Sequence, residues 1–197
     1  MNIPILLALI ALSPQKSIID RLSALKTFKA DFYELITYNT GAVSDTWRGK
    51  IYFKNPDKLR LEVKLPDKQL IISDGKEVWL YFKKKNEAYK RDVTTLVKEV
   101  SPSYIFMDTT KCTVELDTLT ETNALFTLKP KNPKGALVIV EGIQMSVSLE
   151  DTLPDRVVIR DKEGNSFDFH FTKRKANKKL KDKLFQFKPP KNCKVYD

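Results

Sequence analysis

The chain contains little of what many enzyme active sites use. Its 197 residues include one histidine, His170, and two cysteines, Cys112 and Cys193. A single histidine cannot supply a metal cluster, and two cysteines without nearby histidines cannot complete a four-ligand zinc site. No serine or cysteine lies in the sequence context of an activated nucleophile. We therefore expect a protein that is not an enzyme and that uses no metal or other cofactor.

Glycine is also scarce, with six residues in the chain. The segment Ser73-Asp74-Gly75-Lys76 is the only candidate for a glycine-rich loop. It lacks the second glycine and the following helix that phosphate binding needs. An Asp-Gly pair between two apolar runs is instead typical of a hairpin turn, which requires positive φ. The segment is therefore predicted to be a turn, and the acidic pair Glu150-Asp151 is interpreted in the same way.

Long hydrophobic runs are absent too. Residues 1–13, MNIPILLALIALS, are apolar over too short a span to cross a bilayer. The length of this run and the small residues Ala11 and Ser13 at its end are typical of a secretory signal, although the usual basic start is missing. We predict a signal peptide over residues 1–13 and an exported protein. The alternative is an N-terminal helix that packs on the sheet.

Two interpretations of the cysteines follow from export. In an exported protein, Cys112 and Cys193 can form a disulfide. Such a bridge closes a loop of about 80 residues and contributes roughly 4 kcal/mol in the chain-entropy model. The alternative is two independent buried thiols. Both interpretations remain open on the sequence, and the disulfide is kept as a hypothesis.

Lysine dominates the charge: 35 Lys and Arg residues oppose 25 Asp and Glu residues, which gives a net charge of +10. Runs such as Lys83-Lys84-Lys85 and Lys173-Arg174-Lys175 adjoin predicted turns or strand ends, where solvated charge is ordinary. A second interpretation is a basic surface that prefers anionic lipid headgroups or an acidic partner. A third is nucleic-acid binding, since aromatics and lysine interleave at Tyr81-Phe82-Lys83. That pattern equally fits a strand with one buried face.

Alternating apolar residues predict most of the fold. Residues 49–92 indicate four consecutive strands, joined by turns at Asn55-Pro56-Asp57, Leu65-Pro66-Asp67 and Ser73–Lys76. In the second strand, apolar and charged residues alternate, so one face is apolar and the other is solvated. The apolar set is Leu59, Leu61, Val63 and Leu65, and the charged set is Arg60, Glu62 and Lys64. A meander of this kind forms a wide antiparallel sheet, and residues 14–197 are predicted to be a single domain.

The rest of the chain carries further strand signals. Strands are predicted at residues 32–40, 46–53, 112–116 and 124–130, as two strands within 137–149 broken near Glu141-Gly142, and at 156–160 paired with 166–172. In the last of these, phenylalanines recur at every second position and face one side. They are Phe167, Phe169 and Phe171, with Asp168 and His170 on the other side. His170 is therefore expected at the surface.

Three helices are predicted. Ser13-Pro14 begins the first, because proline is well tolerated at the first helical position. Apolar residues then recur at helical spacing, at Ile18, Ile19, Leu22, Leu25 and Phe28. A second helix is predicted from Val93 to Val100 and a third after Ser101-Pro102. Their apolar faces fit either ordinary core packing or a cover over the sheet.

The order of these parts carries a resemblance. A glycine opens a strand, a Lys-x-Pro turn and an alternating strand follow, and then comes the run SDGKEVWLY. Together with the closing stretch FQFKPPKNCKVYD, this order resembles the LolA family of periplasmic lipoprotein carriers. The resemblance implies a mainly β (α+β) fold, an unclosed antiparallel β half-barrel with a lid of short α-helices over its concave apolar face. It also implies a chaperone that carries lipoproteins from the inner to the outer membrane.

The site follows from bulk and alternation, with the lid taken from the resemblance. The predicted lining of a lipid-binding cavity is Phe32, Trp47, Ile51, Phe53, Leu59, Leu61, Val63, Ile71, Trp79, Tyr81, Met107, Met145 and Val147. The predicted lid and its latch are Asn55, Leu96, Val97, Val100, Tyr104, Ile105 and Phe106. In the family, an arginine before the proline of the first turn ties the lid to the sheet. Here Asn55 stands at that position, with Lys54 beside it.

The resemblance also implies partners. They are acylated lipoproteins as cargo, an inner-membrane lipoprotein-releasing ABC transporter as donor and an outer-membrane acceptor lipoprotein similar to LolB. It further implies a monomer in the periplasm of a Gram-negative-type cell envelope, with no nucleic acid. Two alternatives stay open: a periplasmic lipid-binding, glycolipid-binding or stress-sensing protein of the same fold, and a basic module that binds an anionic polymer or membrane surface.

Overall fold

The computed structural model describes residues 14–43, 46–92, 112–131 and 140–197. The expected signal peptide at residues 1–13 and the two helices expected within 93–107 lie outside the described residues. Six of the seven predicted lid and latch residues, Leu96 through Phe106, and the predicted cavity residue Met107 are therefore not placed. The remaining predictions can be compared with the fold.

In the described parts of the chain, one α-helix precedes twelve strands. The helix α1 spans Pro14–Ser23, and a short 3-10 helix spans Asp182–Phe185. The strands are β1 (Thr27–Thr37), β2 (Trp47–Lys54), β3 (Lys58–Leu65), β4 (Gln69–Ser73), β5 (Glu77–Phe82), β6 (Glu87–Asp92), β7 (Cys112–Leu119), β8 (Asn123–Pro130), β9 (Val140–Ser148), β10 (Leu153–Asp161), β11 (Ser166–Ala176) and β12 (Lys194–Tyr196). The start of α1 at Pro14 agrees with the sequence prediction.

All twelve strands form one sheet that does not close on itself. Its order is β12-β6-β5-β4-β3-β2-β1-β11-β10-β9-β8-β7, so β12 and β7 are its two edges. Neighbouring strands are antiparallel except at β12, which pairs in parallel with β6. Strand β1 pairs with β2 on one side and with β11 on the other, and it thereby joins two meanders. The predicted unclosed antiparallel sheet is confirmed.

The sequence prediction of four strands within residues 49–92 was wrong, because the structure has five, β2 to β6. The missed turn lies between β5 and β6 and contains neither glycine nor proline. It is closed by backbone bonds from Lys85 to Phe82 and from Asn86 to Lys83. Asn86 has a φ of 50°, in the left-handed region. Asparagine tolerates this region better than most residues, so it replaces the expected glycine.

Other features also differ from the sequence prediction. The expected break near Glu141-Gly142 is absent, since β9 runs unbroken between β8 and β10. The pairing of β9 with β10 instead shifts register after Arg160, which lies opposite Gly142. Strand β1 begins at Thr27, so Phe28 belongs to the strand and not to the helix. Leu65 is 53% exposed and does not join the apolar face, because the pairing shifts register between Arg48 and Gly49.

The hydrophobic core lies on one face of the sheet, called the apolar face below. Ile51, Leu61 and Ile71 lie side by side across β2, β3 and β4, and each is at most 4% exposed. The helix α1 packs into the same cluster with Ile18 and Leu22. Burial of one such side chain contributes about 1.5–3 kcal/mol. The alternation that the sequence predicted therefore produces a single continuous core.

The opposite side of the sheet, called the reverse face, is crossed by the C-terminal residues 177–197, called the strap. Phe185 is 1% exposed, and Phe187 packs on Trp79 and Tyr81 with ring centroids 5.3 and 5.4 Å apart. The strap ends as β12 on the edge of β6, where Lys194 donates its backbone N–H to Asn86 O. The strap thus covers part of a face that would otherwise expose aromatic side chains.

Gly49 is a position where the fold admits no side chain. A Cβ added there would lie 1.9 Å from Glu62 O and 2.9 Å from the ring of Phe32. Gly49 pairs with Phe32 in β1 and with Val63 in β3, so neither neighbour can withdraw without breaking the sheet. The glycine that opens this strand in the sequence is therefore required by close packing.

We expect Gly49→Ala to lower the free energy of unfolding by about 3 kcal/mol, because overpacking of a rigid site displaces backbone. Gly142→Ala is the matched control, since a Cβ at Gly142 meets nothing within 4 Å. Alanine is favoured over glycine inside a strand, so the control should be neutral or more stable by about 0.5–1 kcal/mol. Urea unfolding measures both values. Equal stability of the two variants would contradict the packing argument.

Candidate functional site

The apolar face gathers most of the predicted cavity lining. Of the predicted residues, those that are buried members of this one cluster are Phe32, Ile51, Phe53, Leu59, Leu61, Val63, Ile71, Met145 and Val147. Trp47 is partly buried and packs against them. Strict alternation along β2 and β3 explains the grouping, because pairs such as Phe53 and Leu59 lie directly opposite each other. The sequence pattern thus identified the correct face for every strand of this group.

Trp79 and Tyr81 were assigned to the wrong face. In β5 the residues that join the apolar cluster are Val78 and Leu80, with Leu80 directly opposite Ile71. Trp79 and Tyr81 therefore face the opposite way and contact Phe187 of the strap. The choice by bulk failed because a one-residue shift moves every side chain of a strand to the other face.

The C-terminal meander completes the apolar face with residues that the cavity prediction did not include. The fully buried ones are Ala124, Phe126, Leu128, Ile143, Val157, Ile159 and Phe169. Their alternation along β8 to β11 is visible in the sequence. An acidic side chain lies among these apolar residues: Glu34 of β1 is 0% exposed, and it is opposite Trp47 and Phe169 in the sheet. Glu34 stands between Phe32 and Ile36 in the alternating pattern of β1, so the sequence also indicates that it shares their face.

The predicted latch residue contacts the end of α1. Asn55 Nδ2 donates to Leu25 O at 3.3 Å, and the backbone N–H of Asn55 donates to Lys26 O at 2.9 Å. Asn55 therefore joins the β2–β3 turn to the connection between α1 and β1. Since α1 packs on the apolar face, this contact fixes one cover of that face.

Lys54, the other candidate for the family's arginine, is directed to the strap. Its Nζ lies 2.9 Å from Asp182 Oδ1 and 3.3 Å from Leu180 O. Lys58 Nζ contacts the same carboxylate oxygen at 2.8 Å. Hydrogen bonds and charge from these two lysines lower the pKa of Asp182 to about 2. Arg60 adds a bond from Nη1 to Leu184 O at 3.1 Å, so the start of the strap is tied to β2 and β3.

The two cysteines are not joined to each other. Both are thiols; Cys112 is 2% exposed at the start of β7, and Cys193 lies just before β12. Strands β7 and β12 form the two opposite edges of the sheet. The disulfide hypothesis is therefore wrong for this structure, and the alternative of two separate thiols holds, although only Cys112 is fully buried.

His170 lies on the reverse face, as the alternation with the phenylalanines predicts. Its ring stacks on Tyr33 at 4.3 Å, and its Nε2 is 3.1 Å from Asp168 Oδ1. Arg156 binds both oxygens of Asp168, at 2.9 and 2.8 Å. Burial raises the pKa of Asp168, but the bonds from Arg156 and the His170 charge outweigh it, so the pKa lies below its ordinary value. These groups line a shallow polar groove of about 540 Å³.

The described residues form neither a metal-binding cluster nor a membrane-spanning helix. Within them, no group of three or more His, Cys, Asp or Glu side chains could hold a metal ion. In the same part of the chain, no helix is both long and apolar enough to span a bilayer. Among the described residues, the apolar side chains of the sheet form one continuous cluster.

The open sheet, its single apolar face and the helix packed on it define a β half-barrel protein. The model of the family described as "Outer membrane lipoprotein carrier protein LolA" matches residues 23–188. This chain belongs to the LolA family, and the resemblance found in the sequence is confirmed.

Relatives agree with this assignment, and solved structures share the fold. An outer-membrane lipoprotein carrier protein from Haemophilus influenzae is 28% identical over 181 residues, covering 90% of this chain and 83% of the relative. One of the same name from Shewanella halifaxensis is 23% identical over 177 residues, covering 90% and 82%. A crystal structure of an uncharacterized conserved protein from Thermus thermophilus has a TM-score of 0.55 at 14% identity and covers 92% of this chain and 98% of its own. A LolA superfamily protein from Nitrosomonas europaea has a TM-score of 0.52 at 12% identity, with 87% and 97% covered. The two structures support the fold alone.

We expect Asn55→Ala to loosen the end of α1. The variant loses the bond to Leu25 O, which contributes about 1 kcal/mol. Amide exchange at Ala24 and Leu25, whose N–H groups donate to Asp20 O and Leu22 O, should become faster. Asn39→Ala is the control, because the described bond of Asn39 uses its backbone N–H. Unchanged exchange in Asn55→Ala would remove the latch role.

The Asp182 contacts predict a pH dependence. The folded pKa of about 2 is below the ordinary 3.8, so the carboxylate stabilises strap attachment above pH 3.8. That stabilisation should disappear as the pH falls from 3.8 to 2, and Asp182→Asn should remove the dependence. Fluorescence of Trp79, which contacts Phe187, reports attachment when Trp47, the only other tryptophan, is replaced by Phe. Asp67→Asn, an exposed control, should keep the parental profile.

Proposed function

We propose that this protein is a non-enzymatic periplasmic chaperone that binds the acyl chains of lipoproteins and carries them from the inner to the outer membrane. The observation that carries the proposal is the continuous apolar face of an unclosed sheet. The membership of the LolA family and the names of the relatives support it.

The physical argument is the shelter of acyl chains from water. Each methylene removed from water contributes about 0.8 kcal/mol, so a chain of about fifteen methylenes contributes on the order of 10 kcal/mol. An apolar sheet face that runs across both meanders offers a surface of the required length. Because the sheet does not close, cargo can enter and leave without unfolding of the strands. These properties suit a carrier that must also release its cargo.

In this proposal, the segments that cover the apolar face control the access of cargo to it. The helix α1 is one cover, and the connection that follows it is held by a neutral side-chain bond from Asn55 to Leu25 O and a backbone bond from Asn55 to Lys26 O. The segment 93–107 is proposed as the rest of the lid, as the family resemblance implies. A neutral hydrogen bond is weaker than the bidentate charged contact that arginine makes, so the closed state should be held less firmly than in relatives with arginine. The gate of this chain should therefore open more readily.

The proposed route requires two partners. The inner-membrane lipoprotein-releasing ABC transporter is the donor, and a LolB-like outer-membrane lipoprotein is the acceptor. Export through a signal peptide at residues 1–13 would bring the chain to the periplasm. The second candidate function is binding of a free lipid or glycolipid by the same face, as in a stress-sensing protein of the same fold. The two functions differ in whether a peptide-linked acyl chain is preferred.

The test is binding of a fluorescent triacylated peptide, with the same peptide lacking acyl chains as the ligand control. The acylated peptide should bind and the other should not, because the acyl chains provide the binding free energy. Leu61→Glu should abolish binding, since Leu61 is 0% exposed at the centre of the face. Leu61→Trp, which keeps the face apolar but fills space, should weaken binding while the far-ultraviolet circular dichroism stays native.

Lys64→Glu is the matched control, because Lys64 is exposed at the end of the same strand. It should bind like the parent protein. Normal acyl binding by folded Leu61→Glu and Leu61→Trp would contradict the proposed site. Tighter binding of free phospholipid or glycolipid than of the acylated peptide would favour the second candidate function over the first.

A further inference from the structure

The excess positive charge of the chain is concentrated at its C-terminal end. Residues 173–197, which are the end of β11 and the strap, contain ten of the 35 Lys and Arg residues but two of the 25 Asp and Glu residues. The rest of the chain has 25 basic and 23 acidic residues, so it is nearly neutral. A net charge of +8 out of +10 therefore lies in one eighth of the sequence.

The fold keeps these charges in one surface. The strap is fixed by bonds to its backbone carbonyls: Thr27 Oγ1 donates to Lys178 O, Arg60 to Leu184 O and Asn86 to Asn192 O. The buried ring of Phe185 and the packed ring of Phe187 complete the attachment. These anchors leave the lysine side chains directed outward. The exposed lysines of the region are Lys173, Lys175, Lys178, Lys179, Lys181, Lys183, Lys188, Lys191 and Lys194.

Acidic side chains barely offset this surface. Asp182 already binds both Lys54 and Lys58, which bring two further positive charges from β2 and β3. Lys173 pairs with Asp31 at 3.0 Å, and Arg174 pairs with Asp151 at 3.0 Å. Among the described ion pairs, none uses a lysine ammonium group of the strap itself. The local field of the strap is thus strongly positive.

We propose that the strap is a docking surface for anionic phospholipid membranes. It would hold the protein at a lipid headgroup layer with the reverse face toward the membrane, which leaves the apolar face on the other side of the sheet. This inference concerns a different surface from the acyl-binding site and does not depend on the proposed carrier function.

The residue types favour a membrane over a protein. Nine of the ten basic residues are lysines, which are hydrated point charges on flexible stems and lack the planar fork of arginine. Lysine is depleted at protein–protein interfaces, where arginine and aromatic residues are enriched. A headgroup layer presents mobile, diffuse negative charge that such lysines match without fixed geometry. The membrane is therefore the better partner.

The aromatic residues argue against single-stranded nucleic acid. Binding of that kind needs exposed aromatic rings on which bases stack. In the strap, Phe185 is 1% exposed and Phe187 packs between Trp79 and Tyr81, so both rings are used inside the protein. One face of Tyr196 stacks on Tyr89 with ring centroids 4.8 Å apart, although Tyr196 is 40% exposed. The exposed apolar side chains of the strap, Val195 and Tyr196, lie only at its end in β12, so membrane binding should be mainly electrostatic and reversible.

The test is sedimentation of the purified chain with phosphatidylcholine vesicles that contain or lack phosphatidylglycerol, at low salt. We expect binding only to the anionic vesicles. Binding should weaken strongly as the salt rises from about 0.05 to about 0.5 M, because added ions screen exposed charges. Each lysine near an anionic surface contributes about fivefold to the affinity, so replacement of Lys178, Lys179 and Lys181 by Gln should lower it about 100-fold.

Matched variants distinguish the effect of the strap lysines from the effect of the net charge of the whole protein. Replacement of Lys83, Lys84 and Lys85 by Gln removes the same charge from the exposed β5–β6 turn and should change the affinity less than about threefold. Replacement of the three strap lysines by Arg keeps the charge and should keep binding. Every variant has the same N-terminus, so differences between variants report on the lysines.

Three results would overturn the proposal. The first is absence of binding to the anionic vesicles. The second is an equal loss in the strap and turn variants, which would assign the effect to net charge alone. The third is binding to an acidic polypeptide such as polyglutamate, or to single-stranded DNA, but not to the vesicles. Native circular dichroism of all three variants ensures that a loss of binding is not a loss of fold.

Discussion

The structure depends on the pairing of β1 with β2 on one side and with β11 on the other. This pairing joins two meanders into one sheet, and it aligns Phe32 with both Gly49 and Phe171. Because side chains alternate along every strand, the register of β1 decides which residues of its neighbours share its apolar face. Gly49 permits this register, since a side chain there would meet the backbone of β3. The core, its helical cover and the position of the strap all follow from it.

Two faces of one sheet carry different physical properties. The apolar face holds a continuous core beneath α1, and it is proposed to bind acyl chains. The reverse face is polar in the C-terminal half, around Asp168 and His170, and is covered by the strap in the other half. A carrier between membranes needs shelter for its cargo and a weak, reversible attraction to membrane surfaces. A two-sided sheet can provide both without conflict, because alternate residues of each strand serve opposite faces.

The errors of the sequence prediction have physical causes. Bulk suggested that Trp79 and Tyr81 line the cavity, but β5 is paired so that Val78 and Leu80 face the core. The disulfide hypothesis relied on the number of cysteines, whereas the sheet puts their strands at its two edges. The missed β5–β6 turn contains Asn86 in a conformation usually associated with glycine. In the first two cases the arrangement of the strands outweighed a local signal, and in the third the turn used a residue other than the expected glycine.

The sequence by itself determined the class of fold, the family, the start of α1 and the apolar face of β2 and β3. Alternation and turn chemistry are local properties, and local properties suffice for these features. Only the tertiary structure decided the face of β5, the separation of Cys112 from Cys193 and the path of the strap. The concentration of lysine in the last 25 residues is visible in the sequence, but the face on which these lysines lie is not. The strap lysines form one surface because Phe185 and Phe187 pack on the reverse face. This packing joins segments that are distant in the sequence, and no local pattern encodes such a contact.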